Sequence, residues 1–282
     1  MSLKFTVDVS QWDMSTNNVY DDLTYNIEHN MPIINTSNSF TIQHFNVIQN
    51  GTIFEVDISA TYITLQSTDG MKFSNGPSWV SHESVTITDF GTIPIYNNDQ
   101  IGYIFSGFRG TINGDTKPMF LEQTNLTYAF LDSKSNTLFI GGWDMSNVIS
   151  TKSMFTNSSF NQDISAWDMS NVIYAHQMFR NSDFNQDIGA WDMSNVVNMS
   201  EMFYDNSVFN KDISDWKTGT VTHMTKMFYN ATAFNQYIGG WNVSNVISTE
   251  GMFMGATAFN QDIGAWDMSN VSNVEFMFTN SG

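Results

Sequence analysis

Six tryptophans recur at nearly constant intervals: Trp143, Trp167, Trp191, Trp216, Trp241 and Trp266 are separated by 24, 24, 25, 25 and 25 residues. Self-similarity at such a period marks a repeat architecture, in which no unit buries its own apolar face and stacked neighbours bury it for one another. The phrase around each tryptophan is as regular. "FNQDISAWDMSNV" begins at Phe160, and "FNQDIGAWDMSNV" begins at Phe184 and again at Phe259.

The one-residue difference in period has a location. The step is five from Phe155 to Phe160 and from Phe179 to Phe184, but six from Phe203 to Phe209, Phe228 to Phe234 and Phe253 to Phe259. The change falls in a small polar turn, where insertions cost least. Followed backwards, the Phe column of Phe278, Phe253, Phe228, Phe203, Phe179 and Phe155 continues to Phe130 and Phe105, again at steps of 25. Two degenerate units thus precede six clear ones, and the array is predicted to begin near Ser84.

Within a unit, Ile164, Trp167 and Met169 set a pattern repeated by Ile188, Trp191, Met193 and by Ile263, Trp266, Met268, with an earlier echo in Phe90, Ile93, Ile95. Read as a strand, this turns Trp167 and Met169 inward and Asp168 outward. "SNV" follows, with Ser a natural helix N-cap, and then apolar residues at every third position (Val196, Met199, Met202 with Phe203). That period predicts a turn or two of helix. The unit reads strand, turn, short helix, polar turn.

This grammar resembles the leucine-rich repeat of the BspA-like surface proteins, the mycoplasma lipoprotein type. The resemblance is carried by "NVVNMSEMFYDNSVFNKDISDW" (Asn195 to Trp216) and its copies, over residues 83–282. It implies parallel strands stacked along a curved solenoid, with functions in adhesion and surface recognition. Members of the family are often exported or lipid-anchored. Here "MSLKFTVDVS" lacks the basic start and apolar core of a secretory signal, and with no cysteine there is no anchoring thiol.

Residues 1–82 differ. "LKFTVDV", "SFTIQHFNVI" and "TIFEVDISATYITL" are alternating or β-branched runs separated by Asn, Gly and Ser, which predicts a small antiparallel β domain that caps or docks. "QWDMSTNNV" at Gln11 echoes the repeat without a second copy 25 residues away. The expected fold is mostly β with short helices: a leucine-rich-repeat solenoid of about eight units behind that domain.

Twenty-eight acids against ten Lys and Arg give a formal charge of −18, which repels nucleic acid and anionic lipid. Without cysteine there is no disulfide, thiolate metal site or Cys nucleophile. Nothing reads as a membrane span. His29, His44, His82, His176 and His223 share no repeat column, and no HExxH, GxSxG or P-loop occurs, so no catalytic residue, cofactor or metal is assigned.

Equivalent residues of stacked units form columns about 4.8 Å apart in step. The Trp, Met and Phe columns read as core. Asn161, Asn185, Asn210, Asn235 and Asn260 read as hydrogen-bonding turn backbone. The candidate binding face is the outward column Asp144, Asp168, Asp192, Lys217, Asn242 and Asp267. A second acidic column, Asp163, Asp187, Asp212 and Asp262, interrupted by Tyr237, is explained by capping or turn bonds. After Met277 and Phe278 no further strand or distinct cap follows, and this edge is expected to contact a protein partner or another copy.

The expected function is non-enzymatic recognition, adhesion or structural assembly on a protein or glycan partner, surface-exposed on a virus particle or a cell envelope. The alternative is a glycan-acting enzyme with an acidic pair near an interdomain cleft.

Overall fold

A computed structural model describes residues 117–120, 123–135 and 137–282, together with the strands that precede them. Phe90, Ile93, Phe105, Ser84, the phrase at 11–19, His29 and His82 lie outside the described residues.

The strands are β1 (Leu3–Asp8), β2 (Ile42–Asn50), β3 (Ile53–Ala60), β4 (Ile63–Thr64), β5 (Val85–Asp89), β6 (Pro94–Tyr96), β7 (Thr111–Ile112), β8 (Met119–Phe120), β9 (Thr124–Asn125) and β10 (Val148–Ser150). One sheet has the order β2-β3-β1-β5-β7. Its β2–β3, β1–β3 and β1–β5 pairs are antiparallel, and β5–β7 is parallel. Because β5 begins at Val85, this sheet continues past residue 82. A second sheet, β4-β6-β8, is parallel throughout and sets Ile95 opposite Phe120, a step of one unit.

From β9 onward the pairing is parallel and periodic. β9 pairs β10, and single bridges then join Ser150 to Tyr174, Tyr174 to Asn198, Asn198 to His223, His223 to Ser248 and Ser248 to Asn273. Each unit therefore lies in register against the next. The backbone bonding extends beyond these bridges. Thr151, Ser153, Phe155 and Asn157 donate their N–H groups to the carbonyls of Tyr174, His176, Met178 and Arg180, all at 2.9–3.0 Å. Alternate peptide groups of this stretch thus point along the stack, joining each unit to the following one.

That arrangement replaces the short helix expected after "SNV": no helix occurs among the described residues. The N–H groups of Met199, Glu201 and Phe203 go to His223, Thr225 and Met227 of the next unit, so none is available for a helical bond to the residue four before it. The three-residue apolar period comes instead from successive corners. Thr151–Met154 and Phe155–Ser158 each close with a 3.1 Å bond, and the third residue of each, Ser153 or Asn157, has positive φ, as a type II turn requires. The column of Asn157 holds Asp132, Asn181, Asp205, Asn230, Gly255 and Asn280, all at positive φ. Asn, Asp and Gly are the residues that enter this region at least cost.

Each corner turns side chains inward. Val196, Met199, Met202 and Phe203 are fully buried, and the Trp column is 3–8% exposed from Trp143 to Trp266. The Phe rings stack along the array: Phe155 on Phe179 at 5.8 Å, Phe179 on Phe203 at 5.7 Å and Phe203 on Phe228 at 5.6 Å, with Phe209 set 3.9 Å from Phe203. Each such ring contributes roughly 2–3 kcal/mol by leaving water. Trp167, Trp191, Trp216, Trp241 and Trp266 also donate Nε1–H to an Ile carbonyl of the preceding unit at 2.9–3.2 Å, which fixes ring orientation while satisfying the buried polar atom. In the first longer unit the extra residue is absorbed at buried Asn206, which bonds the Phe184 carbonyl and accepts from the N–H groups of Val208 and Phe209.

Candidate functional site

The outward acidic column stands in turns, away from the bridge ladder. Trp167 closes a turn onto Ile164 and Val172 closes another onto Met169, and Asp168 lies between them. Asp144, Asp168, Asp192 and Asp267 each accept, through Oδ1, the N–H of the serine two residues on at 3.0–3.1 Å, and Asn242 does the same for Ser244. This is the Asx turn, a local bond that Asp and Asn make with their own backbone. The reading of these residues as strand positions is therefore corrected, whereas their outward direction holds: Asp192 is half-buried and the other five are exposed. Lys217 Nζ lies 3.6 Å from Asp192 Oδ1 with both side chains well exposed, a geometry worth little in stability.

The serines also hold the charge in place. Hydrogen bonds from the Ser146, Ser194 and Ser269 side chains, joined by their N–H groups, keep Asp144, Asp192 and Asp267 below the usual carboxylate range. The second acidic column repeats the device. Asp163, Asp187, Asp212 and Asp262 accept from the N–H two residues on at 2.8–3.0 Å, and the backbone bonds of Ser165 and Ser214 hold Asp163 and Asp212 low. In both columns one carboxylate oxygen is engaged with the backbone.

Amides connect the units at the surface. Asn161 Oδ1 accepts the N–H of Asn185, and the pattern repeats from Asn185 to Asn210, Asn210 to Asn235 and Asn235 to Asn260 at 2.9–3.1 Å. Gln186, Gln236 and Gln261 donate into the same column. The asparagine of "SNV" reaches back one unit, as Asn171 does to the Ser146 carbonyl and Asn195 to that of Ser170.

A third surface was not singled out by sequence reasoning: the columns beside the bridge ladder, where no residue type holds more than two of the six units. One column reads Ser150, Tyr174, Asn198, His223, Ser248, Asn273, and another Lys152, His176, Ser200, Thr225, Glu250, Glu275. The two share a face, since the Tyr174 ring meets His176 edge-on at 6.3 Å and Thr225 Oγ1 lies 2.9 Å from Ser248 Oγ. Beside them runs a positive-φ column, Tyr128, Ser153, Gln177, Glu201, Lys226, Gly251 and Phe276. Apart from Gly251, these residues, unlike Asn, Asp or Gly, enter that region at a cost of about 1–2 kcal/mol each. Here Ser153 donates to Gln177, Gln177 to Glu201, and Arg180 pairs with Glu201 while lying 4.3 Å over the Tyr204 ring, which stacks on Tyr229 at 4.5 Å. The signal that could have found this surface is variation inside an otherwise constant array.

His176 is half-buried with no partner for Nδ1, and burial pushes its pKa down to about 4. His223 is exposed and its Nδ1 lies 2.8 Å from Thr222 Oγ1. At the other predicted site, Met277 is 6% exposed and accepts the N–H of Phe253 on its carbonyl, while Phe278 is 49% exposed and stacks on Phe253 at 5.6 Å. Among the described residues no three His, Asp or Glu side chains converge to hold a metal, and no helix is long and apolar enough to cross a membrane.

These features define a class: an array of 24–25-residue units in which backbone, ring and amide ladders join each unit to the next. The chain belongs to the family described as Mycoplasma protein of unknown function, DUF285, which matches residues 124–221 and 210–282. Comparison with curated proteins and with solved structures finds no match.

Proposed function

We propose that the chain is a non-enzymatic recognition or structural protein, a BspA-like leucine-rich-repeat solenoid of about eight units behind a small β domain, displayed on a virus particle or a cell envelope. It meets a protein or glycan partner through the acidic turn columns. The observation that carries this reading is the row Asp144, Asp168, Asp192: each carboxylate is anchored by one oxygen to the serine N–H two residues on. Anchoring fixes the charges in direction and at one per unit, so a partner with regularly spaced cations or hydroxyl donors meets them without ordering cost.

Asparagine in the same column keeps the turn bond, as Asn242 does. Replacing Asp168 and Asp192 together by Asn therefore removes charge and leaves the turns. The expected result is loss of retention on intact particles or cells of the native source, with melting unchanged. Undiminished retention by the folded double variant refutes this face as the contact.

A further inference from the structure

The variable face beside the bridge ladder is polarised along the stack. Lys152 stands towards one end and Glu275 towards the other. Five units separate them, about 24 Å at strand spacing, well beyond a Debye length of about 8 Å, so neither neutralises the other within one chain. Between them Tyr174 stands 45% exposed, with Ser248 three units on in the same column. The two acidic turn columns belong to other positions of the unit, so the strongly negative surface of this chain does not dominate here.

We infer that this face pairs with the same face of a second copy, antiparallel, about a two-fold axis that crosses the stack between Asn198 and His223. That axis sets Lys152 of each copy against Glu275 of the other, Tyr174 against Ser248, and Asn198 against His223. A parallel pairing would oppose Lys152 to Lys152 and Glu275 to Glu275, which costs rather than stabilises. An isologous contact of this kind is self-complementary by symmetry, with every pair made twice. A strip six units long and a few residues wide buries less than about 1,200 Å², the range of weak, reversible pairs. The acidic columns play no part in this contact, so it can fail while the partner reading stands, and the reverse.

The test is sedimentation equilibrium of the full chain up to about 100 μM, where a micromolar pair is populated. The wild type is expected to show a monomer–dimer equilibrium. Lys152→Glu and Glu275→Lys each weaken it by about tenfold or more, and the double swap restores it. Circular dichroism verifies that each variant is folded, and Tyr174→Glu gives a second, independent disruption on the same face. A monomer at every concentration, a dimer indifferent to the reversals, or a double swap that fails to restore pairing overturns the inference.

Discussion

Phe203→Ala tests the packing logic at its centre. The Phe203 side chain is fully buried, with ring neighbours Phe179 at 5.7 Å, Phe228 at 5.6 Å, Phe209 at 3.9 Å and Trp216 at 6.5 Å. It thus ties its own unit to both adjacent ones. Truncation removes the ring and leaves a cavity that stacked backbones cannot collapse, at about 3–5 kcal/mol. For a chain of this size each kcal/mol lowers Tm by about 2–4 °C, so the expected drop is about 6–20 °C. Phe278 provides the control: it is 49% exposed and has one ring neighbour, Phe253 at 5.6 Å, so Phe278→Ala should cost about 1 kcal/mol. Melting followed by far-UV circular dichroism, with urea unfolding alongside, measures both. A Phe203→Ala variant within about 2 °C of wild type, or no worse than Phe278→Ala, refutes the reasoning that stacked rings hold the units together.

Three further outcomes follow from local geometry. Asn210 Oδ1 accepts from Asn235 N–H and Gln236 Nε2, both at 2.9 Å, so Asn210→Ala should cost about 1 kcal/mol in urea unfolding, whereas Asn210→Asp, which keeps the acceptor, should cost clearly less. Gly255 has φ of +74° where other units carry Asn or Asp, and a Cβ there meets Asn230 Oδ1, so Gly255→Ala should lose at least about 1–2 kcal/mol and Gly255→Asn, whose amide can donate to that oxygen as Asn181 does to Asn157, less; equal losses would contradict the conformational argument. His176 is neutral when folded because burial, then Lys152, depress its pKa from 6.5 to about 4 against the opposing pull of Glu201. The unfolded chain takes up that proton first, so the contribution is complete above pH 6.5 and is lost as pH falls towards 4. Discounted for partial exposure it amounts to about 1–2 kcal/mol, and a His176→Phe variant should lose that much of the acid slope between urea midpoints at pH 7 and about pH 4.5.

The periodic Trp and Phe columns made the array and its core legible, because a side chain that returns every unit at one spacing has one place to go. The second acidic column was legible as turn-forming, since Asp bonds its own backbone at short range; the first was legible as outward but read as strand, because its flanking Trp and Met alternate, and the Asn column, read as bonding turn backbone, bonds the backbone of the next unit. The helix after "SNV" was misread for a definite reason. Val196, Met199 and Met202 recur at three, which a helical turn and a sequence of left-handed corners both satisfy. What decides between them is where the N–H of Glu201 goes, and it goes to Thr225 of the next unit at 2.9 Å, which no local pattern records. The Asp132, Asn157, Asn181 column did carry the signal, since residues tolerant of positive φ return once per unit. The face around Tyr174, His176 and His223 stayed hidden for the opposite reason: its columns keep no constant residue from unit to unit.

The most direct test of the stacked register uses the absence of native cysteine. Tyr174 and Asn198 are bridged in parallel, while Tyr174 and His223 are two steps apart. Neighbouring strands lie about 4.8 Å apart, within the Cα separation of about 4.4–6.8 Å that a disulfide spans, and two steps do not. The measurement is the extent of oxidative cross-linking, read by intact mass and thiol titration, in chains carrying Tyr174→Cys with Asn198→Cys or Tyr174→Cys with His223→Cys. The account predicts near-complete closure of the first pair and none within a chain for the second. Closure of the second pair, or an open first pair in folded protein, contradicts it.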